Sequence, residues 1–471
     1  MIRAIALLSA VMIGILTIAT TLHYQGHWSA YLAFTIISNA LLFNGVRRRA
    51  IYFDTFIGIF VWLGFWLKFS VRVLFMSGAF HEPVGAFDGS PDAFDSALNI
   101  SSCGIAALLV ASLVRQRFFS YPDSPLACTQ SGLFQFYKAH RILLVGVFLG
   151  VVLLIAISNA WLGIYQRGMV VQTVLPFGMN GLYKWLLRFG LASISALIIR
   201  FEIELNRDIS PISVLPPLLE CFFSNVSLLS RGMILNSMGL AIGAIRTIYG
   251  TGLRLSLLRV SIGAMVFVTL FVVSVLSVNY LRAATLAGNA ELAGEVMINS
   301  AREMTTPLFL DRWVGIEAVM AVSSSKQLGW DLWHEALTEK FQEGRLSLYD
   351  RVFIDSPYSN PSIDKSKHHF VSLPGIVAFF YYPGSLGFLF AALFVLGLAA
   401  AALEYLTYRL GGGNWVLCSL FAQVIAFRYV SFGYVPGQSY LLFGTLVLNV
   451  LFLFAADQML TKHYCGRWKF Y

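Results

Sequence analysis

The sequence predicts an all-α, polytopic integral membrane protein that carries one large water-exposed loop. Of its 471 residues, 58% are hydrophobic and only 12% are charged, and the mean hydropathy is +0.72. This composition excludes an ordinary soluble domain. Apolar runs such as 142–157, 260–278 and 386–403 have about the length that a helix needs to cross a hydrocarbon core of roughly 30 Å. One polar stretch, 281–373, interrupts these runs.

The apolar runs predict about twelve transmembrane helices. Their approximate centres are residues 12, 36, 60, 106, 150, 191, 219, 240, 269, 388, 422 and 448. The chain is thereby divided into a first block of spans (1–280), the loop (281–373) and a second block of spans with a tail (374–471). The first run lacks a small-residue cleavage motif and the next span follows at once, so we expect a retained helix and not a signal peptide.

The basic residues predict the orientation of the spans. With a cytoplasmic N-terminus, the short inside loops and the tail hold Arg47, Arg48, Arg49, Arg115, Arg117, Lys138, Arg141, Arg246, Arg254, Arg259, Arg409, Lys462, Arg467 and Lys469. The outside connection 77–96 contains no Lys or Arg and four acidic residues. The positive-inside rule therefore favours cytoplasmic N- and C-termini and an outside position for the loop. Topology accounts for most of the net charge of +9, and no nucleic-acid partner is implied.

The cysteines and the standard motifs exclude several kinds of chemistry. All five cysteines (Cys103, Cys128, Cys221, Cys418 and Cys465) fall outside residues 281–373, so no disulfide framework is predicted for the loop. No P-loop, CxxC, HExxH or GxSxG pattern occurs, so chemistry that depends on ATP, zinc or a serine triad is not indicated. The carboxylates lack the spacing of metal ligands. We therefore expect no metal and no cofactor.

Several cations lie near the predicted outer boundary, against the positive-inside tendency. They are Lys68, Arg72, Arg167, Lys184, Arg188, Arg231, Arg282 and Arg428. Lys68 with Arg72, and Lys184 with Arg188, are four residues apart and therefore share a helix face. If these side chains converge, they form a cationic pocket suited to a diphosphate, since guanidinium groups can bind phosphate oxygens bidentately. The alternative is that each side chain extends to lipid phosphates at the interface.

The loop has the composition of a folded segment and not of a disordered linker. Residues 311–322 predict a helix whose interior charges are Arg312 and Glu317, and residues 328–341 predict an amphipathic helix with Trp330 and Trp333 on one side. For these tryptophans, a place in the loop core or at the membrane interface is favoured over a sugar platform. Pro374 suits a first helical turn, and Pro383 with two following glycines predicts a break.

Three segments carry a family resemblance. They are Ser230-Arg-Gly232, Arg312-Trp-Val-Gly-Ile-Glu317 and the return from Pro374-Gly-Ile to Tyr381-Tyr-Pro-Gly-Ser-Leu-Gly387. With many spans and one large outer loop in the second half, the chain resembles the bacterial O-antigen and oligosaccharide repeat-unit polymerases (Wzy-like), which share their architecture with the O-antigen ligases. The resemblance covers most of the chain as topology, while the motifs themselves are short.

The resemblance implies a location in the bacterial inner membrane and a polyprenyl-diphosphate-linked oligosaccharide as substrate, embedded in membrane lipid. A polymerase transfers the growing glycan from its carrier onto a new lipid-linked unit, in a pathway that also contains a flippase and a chain-length regulator. The residues assigned first to the diphosphate are Arg231 and Arg312. Those assigned to substrate binding after them are Arg282, Arg428, Arg167, Arg188, Lys184, Arg72, His368 and Tyr381. The general base is expected to be Glu317 or His369, with Asp311 as a further choice.

Two other functions stay open at this point. The ligases have the same plan and use an Arg and a His of the outer face, and Arg312 with His368 or His369 fits that description too. A lipid or anion transporter, or a flippase, is the non-enzymatic alternative. Against transport, no internal repeat pairs the two halves of the chain, and the cations gather at the predicted outer boundary instead of the midplane.

Overall fold

The structure is a computed structural model that describes residues 2–47, 49–253, 256–287, 310, 313–359 and 367–465. The described part is helical and contains no β-strand. The prediction of an all-α protein with membrane-spanning helices is confirmed at this level.

The helices of the first block are α1 (Ile2–His23), α2 (Trp28–Gly45), α3 (Tyr52–Val61), α4 (Lys68–Phe75), α5 (Pro91–Arg115), α6 (Gly132–Leu162), α7 (Met179–Trp185), α8 (Leu191–Asn206), α9 (Pro211–Ser227), α10 (Met233–Gly250) and α11 (Leu257–Ala287). After the gap in the described residues come α12 (Ile316–Ser323), α13 (Trp330–Leu337), α14 (Leu348–Val352), α15 (Gly375–Phe380), α16 (Leu386–Leu410), α17 (Trp415–Val430) and α18 (Ser439–Cys465). Two π-helical segments, Trp62–Leu67 and Leu186–Gly190, join α3 to α4 and α7 to α8.

Six helical segments of the described chain are long and apolar enough to cross a membrane. They are Tyr52–Phe75, Pro91–Arg115, Gly132–Leu162, Leu258–Arg282, Leu386–Leu410 and Pro436–Tyr464, and two shorter apolar helices are Ala10–His23 and Trp415–Val430. Every one of the twelve predicted centres falls within a helix. The number of twelve spans and the membrane orientation stay predictions.

The chain forms two compact units. Unit 1 comprises Met1–Ser120, Met304–Ala401 and Ala426–Ser439, and unit 2 comprises Tyr121–Glu303, Ala402–Ile425 and Tyr440–Tyr471. The described residues of the polar loop from 310 onward thus join the first five helices in unit 1. A polar composition predicts exposure to water, but it does not indicate which helices such a segment packs against.

The core of unit 1 is held by a buried ion pair as well as by apolar packing. Helix α2 packs against α3 and α5. Arg115, in the last turn of α5, pairs with Asp54 in the first turn of α3, and their side chains are only 3% and 4% exposed. Asn44 of α2 donates a hydrogen bond to Ser112 Oγ at 2.7 Å. Arg115, which the sequence assigns to an inside loop, therefore ties two helices together.

Unit 2 is organised around α6, α8 and α9. Aromatic and aliphatic side chains of α6 and α8, among them Phe134, Phe148 and Phe201, form an apolar cluster. At one end of this cluster Glu202 of α8 accepts hydrogen bonds from Tyr137 Oη and Arg141 Nε of α6, at 2.8 and 2.7 Å. These bonds fix α6 against α8 and leave the opposite ends of the helices to build the site described below.

Both predicted loop helices are shorter than expected. Residues 311 and 312 lie outside the described residues, Trp313–Gly315 is not helical, and α12 begins at Ile316. The second helix is α13, which begins at Trp330 and ends at Leu337. Trp330 and Trp333 pack on Phe388 of α16 with ring centroids 4.9 and 5.1 Å apart, in keeping with the loop-core interpretation.

After the loop, the chain has the helix start and the break that the sequence predicts. Pro374 caps α15 at its N-terminus. This helix ends at Phe380, and α16 begins at Leu386. Gly384, in the turn between them, has a φ of +74°, a backbone conformation that glycine adopts without steric cost. The predicted break at Pro383 is confirmed.

Candidate functional site

Unit 2 holds a cluster of cations around the turn between α9 and α10. Five of the predicted outer cations belong to this unit: Arg167, Lys184, Arg188, Arg231 and Arg282. The backbone N–H of Arg167 donates to the Leu228 carbonyl at 2.9 Å. Arg282 Nε, from α11, donates to the next carbonyl, Leu229, also at 2.9 Å. Arg231 follows two residues later, so the backbone of Arg167 and the guanidinium of Arg282 both contact the turn that carries Arg231.

One buried side chain of α6 holds this turn in place. Asn159 is fully buried, and its Nδ2 donates to the Tyr165 carbonyl at 3.0 Å and to Ser227 Oγ at 2.8 Å. The bond to Tyr165 fixes the connection that carries Arg167, and the bond to Ser227 fixes the turn that carries Arg231. In the sequence, Asn159 is a polar residue inside the long apolar run of α6, which could have indicated this role. The sequence analysis did not identify it.

Three cations of this cluster lack acidic partners among the described residues. In the part of the chain that the structure describes, no carboxylate pairs with Arg167, Arg188 or Arg231, and the buried Nε of Arg231 has no hydrogen-bond acceptor. Burial lowers the pKa of the Arg231 and Arg167 guanidinium groups, and the nearby charge of Arg188 lowers the pKa of Arg167 further. Since arginine stays protonated in proteins, these are charged, partly dehydrated groups that attract an anion.

The next two cations lie in a π-helical segment and in the short helix before it. Arg188 lies within Leu186–Gly190, and Lys184 lies in α7 just before that segment. The Arg188 carbonyl accepts a hydrogen bond of 3.4 Å from Asn236 of α10, and Lys184 Nζ lies 5.4 Å from the centre of the Tyr165 ring. Such π segments are frequent at functional sites. Hydropathy does not reveal them.

Beside the cluster, helices α8 to α11 enclose an apolar cavity of about 500 Å³. Its lining on α10 runs from Ile234, three residues after Arg231, to Ile248, a distance of about 21 Å at about 1.5 Å per residue. The lining is almost entirely apolar, and its polar members are Ser213, Ser237 and Arg259. Its length and apolar surface suit a hydrocarbon chain.

Unit 1 contains a buried ion pair between a transmembrane helix and the loop. Lys68 Nζ lies 2.8 Å from Glu317 Oε1, and their side chains are 1% and 5% exposed. Lys68 Nζ also donates to the Trp313 carbonyl at 2.6 Å. Burial raises the pKa of Glu317 although the Lys68 ammonium opposes the shift. The contact with Lys68 shows that the Glu317 carboxylate has a structural role in joining the loop to α4.

Two glycines permit the approach that forms the pair. A Cβ on Gly315 would lie 1.9 Å from the Gly64 carbonyl oxygen, and a Cβ on Gly64 would lie 2.4 Å from the Val314 carbonyl oxygen. The backbones of the π segment and of the loop therefore touch, and any larger residue at either position would separate them. This contact aligns Lys68 with Glu317.

A polar cavity of about 230 Å³ adjoins the pair. The side chains that line it include those of Lys68, Glu82, Trp313, Glu317, Tyr349 and Tyr358. After burial, the negative charges of Glu317 and Glu82 contribute to a raised pKa of Tyr349. Two carboxylates, one ammonium group and three aromatic rings thus share a small space. Glu82 was visible in the sequence only as one of the acids in 77–96.

The other predicted site residues of unit 1 are engaged in local structure. Arg72 Nη1 donates to the Ala79 carbonyl at 3.3 Å, and Arg428 Nη2 donates to Ser439 Oγ at 3.0 Å. The buried His368 stacks on Phe370 with ring centroids 5.8 Å apart. Tyr381 is partly buried at the end of α15. Arg312 and Asp311 lie outside the described residues.

His369 connects two segments through both ring nitrogens. The Gly344 N–H donates to Nδ1 at 3.2 Å, so Nδ1 must be unprotonated, and Nε2 lies 2.9 Å from Tyr434 Oη. Burial lowers the pKa of His369. An Nδ1 that already accepts a backbone hydrogen bond is poorly placed to take a proton from a substrate. The contacts favour a positioning role over that of general base.

This geometry predicts a pH dependence of stability. The folded protein lowers the pKa of His369 below that of the unfolded chain, so its contribution is fully present above the ordinary histidine pKa of about 6.5 and is lost as the pH falls below it. We expect the midpoint of thermal unfolding to drop between pH 7.5 and pH 5.5, and His369→Gln to reduce that drop. His334→Gln, an exposed change in α13, is the control. An equal drop in all three proteins would contradict this assignment.

The structure divides the predicted site residues into two groups. In unit 2 it brings the backbone of Arg167 and the guanidinium of Arg282 to the turn that carries Arg231, with Arg188 near Arg167 and Lys184 beside Tyr165. In unit 1 it places Glu317 beside a polar cavity and gives Arg72, Arg428 and His369 local partners. No protein-family model, curated protein or solved structure matches the chain.

Proposed function

We propose that this chain is a glycosyltransferase that polymerises polyprenyl-diphosphate-linked oligosaccharide repeat units at the periplasmic face of the bacterial inner membrane. The observation that carries the proposal is the cluster of cations next to a long apolar cavity in unit 2, in which Arg167, Arg188 and Arg231 have no carboxylate partner among the described residues. This pair of features suits a ligand with an anionic head and a hydrocarbon tail. A polyprenyl diphosphate has both.

The chemistry needs little beyond positive charge and a proton acceptor. As the acceptor hydroxyl attacks the anomeric carbon of the donor glycan, the bond from that carbon to the diphosphate oxygen breaks, and the diphosphate leaves with the bonding electrons. Guanidinium groups stabilise the charge that develops on the leaving group, and a carboxylate or imidazole takes the hydroxyl proton. Because the donor is already activated, no nucleotide is required.

The direct test uses the protein in lipid nanodiscs with purified polyprenyl-diphosphate repeat units. A polymerase yields a ladder of lipid-linked products with two, three and more units, together with free polyprenyl diphosphate. In cells, loss of the chain leaves surface glycan capped with a single unit. If instead lipid-linked polymer accumulates and surface attachment is lost, the chain is a ligase and the polymerase assignment is wrong.

The apolar cavity provides a prediction of its own. A Cβ on Gly263 of α11 meets only Val214 Cγ1, at 3.9 Å, so Gly263→Phe is expected to fill the cavity without distorting the helices. Displacing the tail should raise the KM for the lipid-linked unit about tenfold, or about 1.4 kcal/mol. Gly150→Phe is the matched control, because a Cβ on Gly150 of α6 meets nothing within 4 Å. An unchanged KM in Gly263→Phe would show that the hydrocarbon tail does not bind in this cavity.

One observation favours transport as a second candidate. Glu220 of α9 is fully buried, and its Oε1 accepts a hydrogen bond from Ser224 Oγ at 2.9 Å. Among the described residues it has no cationic partner. Acidic side chains in membrane helices are costly and often belong to proton relays. Movement of the lipid-linked unit across proteoliposomes, driven by a proton gradient and without chain growth, would establish this function instead.

A further inference from the structure

We propose that the polar cavity of unit 1 is a binding subsite for one neutral pyranose ring, with Glu82 as a hydrogen-bond acceptor for the sugar hydroxyls. The inference rests on the proposed function, because it assigns a place to the glycan part of the same substrate. It concerns unit 1 alone and residues that the assignment of the diphosphate does not use.

The size of the cavity limits the ligand. The cavity has a volume of about 230 Å³ and is lined by residues of α4, the 77–96 connection and the loop. A single sugar ring with its hydroxyl groups fits such a space, whereas an extended oligosaccharide does not. The occupant is therefore one residue of a glycan, with the remaining residues outside the cavity.

The charge of the lining selects against an anion. Lys68 is already neutralised by Glu317 at 2.8 Å, and Glu82, which is exposed, adds a further negative charge. Burial first, and the Glu82 charge in addition, raise the pKa of Glu317, so both carboxylates act on the same space. A diphosphate would be repelled here. Ionised carboxylates only accept hydrogen bonds, and sugar hydroxyls supply the donors.

The aromatic rings supply apolar surface for the ring carbons of a sugar. Trp313 is stacked on Phe60 with ring centroids 5.5 Å apart, and Tyr358 is stacked on Phe370 at 5.4 Å. Both line the cavity and are only partly buried. Because each ring is supported from behind, it keeps one orientation and loses little entropy when a ligand packs against it. Carboxylates beside fixed aromatic rings match the mixed polar and apolar surface of a pyranose.

Saturation-transfer difference NMR on the full-length protein in nanodiscs tests this subsite. The probes are glucose, galactose, mannose, rhamnose and N-acetylglucosamine as free sugars. We expect at least one of them to bind, Glu82→Ala to weaken that binding about tenfold, and inorganic diphosphate not to displace the sugar. Glu343→Ala removes an exposed carboxylate of the loop 281–373 that does not line the cavity, and this variant should bind like the wild type.

Three outcomes would overturn the assignment: no binding by any of the five sugars, equal binding by Glu82→Ala and the wild type, or displacement by inorganic diphosphate. Since Glu82 is exposed, its replacement should leave the thermal unfolding midpoint unchanged, which separates lost binding from lost folding. A protein that binds sugar through Glu82 but forms no glycan ladder would refute the proposed polymerase and leave the subsite intact. If the protein forms a glycan ladder but its Glu82→Ala variant binds sugar normally, the subsite is refuted and the proposed polymerase is retained.

Discussion

Replacing Arg231 by alanine should lower the rate of repeat-unit polymerisation about a hundredfold, which corresponds to about 3 kcal/mol of transition-state stabilisation. The physical reason is that its guanidinium is partly buried and that, among the described residues, its Nε has no hydrogen-bond acceptor and no carboxylate pairs with it. All of its electrostatic attraction is thus directed at the ligand. The measurement is the initial rate of ladder formation in nanodiscs with purified lipid-linked units.

Two companion variants make the result specific. Arg231→Lys keeps the charge but loses the planar fork that holds two phosphate oxygens, so it should recover only part of the rate. Arg117→Ala removes an exposed arginine and should leave the rate unchanged. Folding offers a further check, because removal of a buried Nε without an acceptor should not lower the midpoint of thermal unfolding. If the alanine variant keeps its full rate, Arg231 does not hold the diphosphate.

Breaking the Lys68–Glu317 ion pair should lower the free energy of unfolding by a large amount. Removal of one partner from a buried ion pair leaves an uncompensated charge, at a cost of about 3–5 kcal/mol. Lys68→Met also leaves the Trp313 carbonyl without its 2.6 Å hydrogen bond. We therefore expect a large decrease in the midpoint of thermal unfolding for Lys68→Met and for Glu317→Leu.

The double variant distinguishes this pairing from the loss of two independent side chains. Replacement of both partners by apolar residues of similar volume is often close to neutral, so Lys68→Met with Glu317→Leu should be more stable than either single variant. Lys340→Met with Glu343→Leu, two exposed loop residues, is the control and should show additive, small effects. Additive losses in the buried double variant would mean that the two charges do not depend on each other.

Composition and the spacing of apolar runs were enough to predict the helical membrane class, and Pro383 with Gly384 was enough to predict where the chain breaks. These features depend on local preferences and on the cost of burying a backbone without hydrogen bonds. The list of outer cations was also accessible, because any charge near an apolar run stands out. What the sequence did not reveal was the partner of each cation. Arg115 and Arg231 both lie at the end of an apolar run in the sequence, yet Arg115 pairs with Asp54 and Arg231 has no carboxylate partner in the described chain.

The partners were hidden because they are distant along the chain. Lys68 and the Trp313 carbonyl are 245 residues apart, and the contact between them depends on two glycines that hydropathy treats as neutral. Within the predicted loop helix 311–322, residues 313–315 are not helical for the same reason, since their backbone touches the π segment around Gly64. The polar composition of the loop led the sequence analysis to treat it as separate from the helices. In the structure, most of its described residues pack within unit 1.

The π-helical segment Trp62–Leu67 has a consequence for how this protein tolerates changes of length. Each residue of a helix turns the chain by about 100°, so one residue more or less before position 68 would point the lysine to a different side. The register of this helix is therefore tied to a partner in the second half of the chain. Homologous chains that keep the ion pair should keep glycine at position 64 and should have no insertion or deletion between positions 62 and 67.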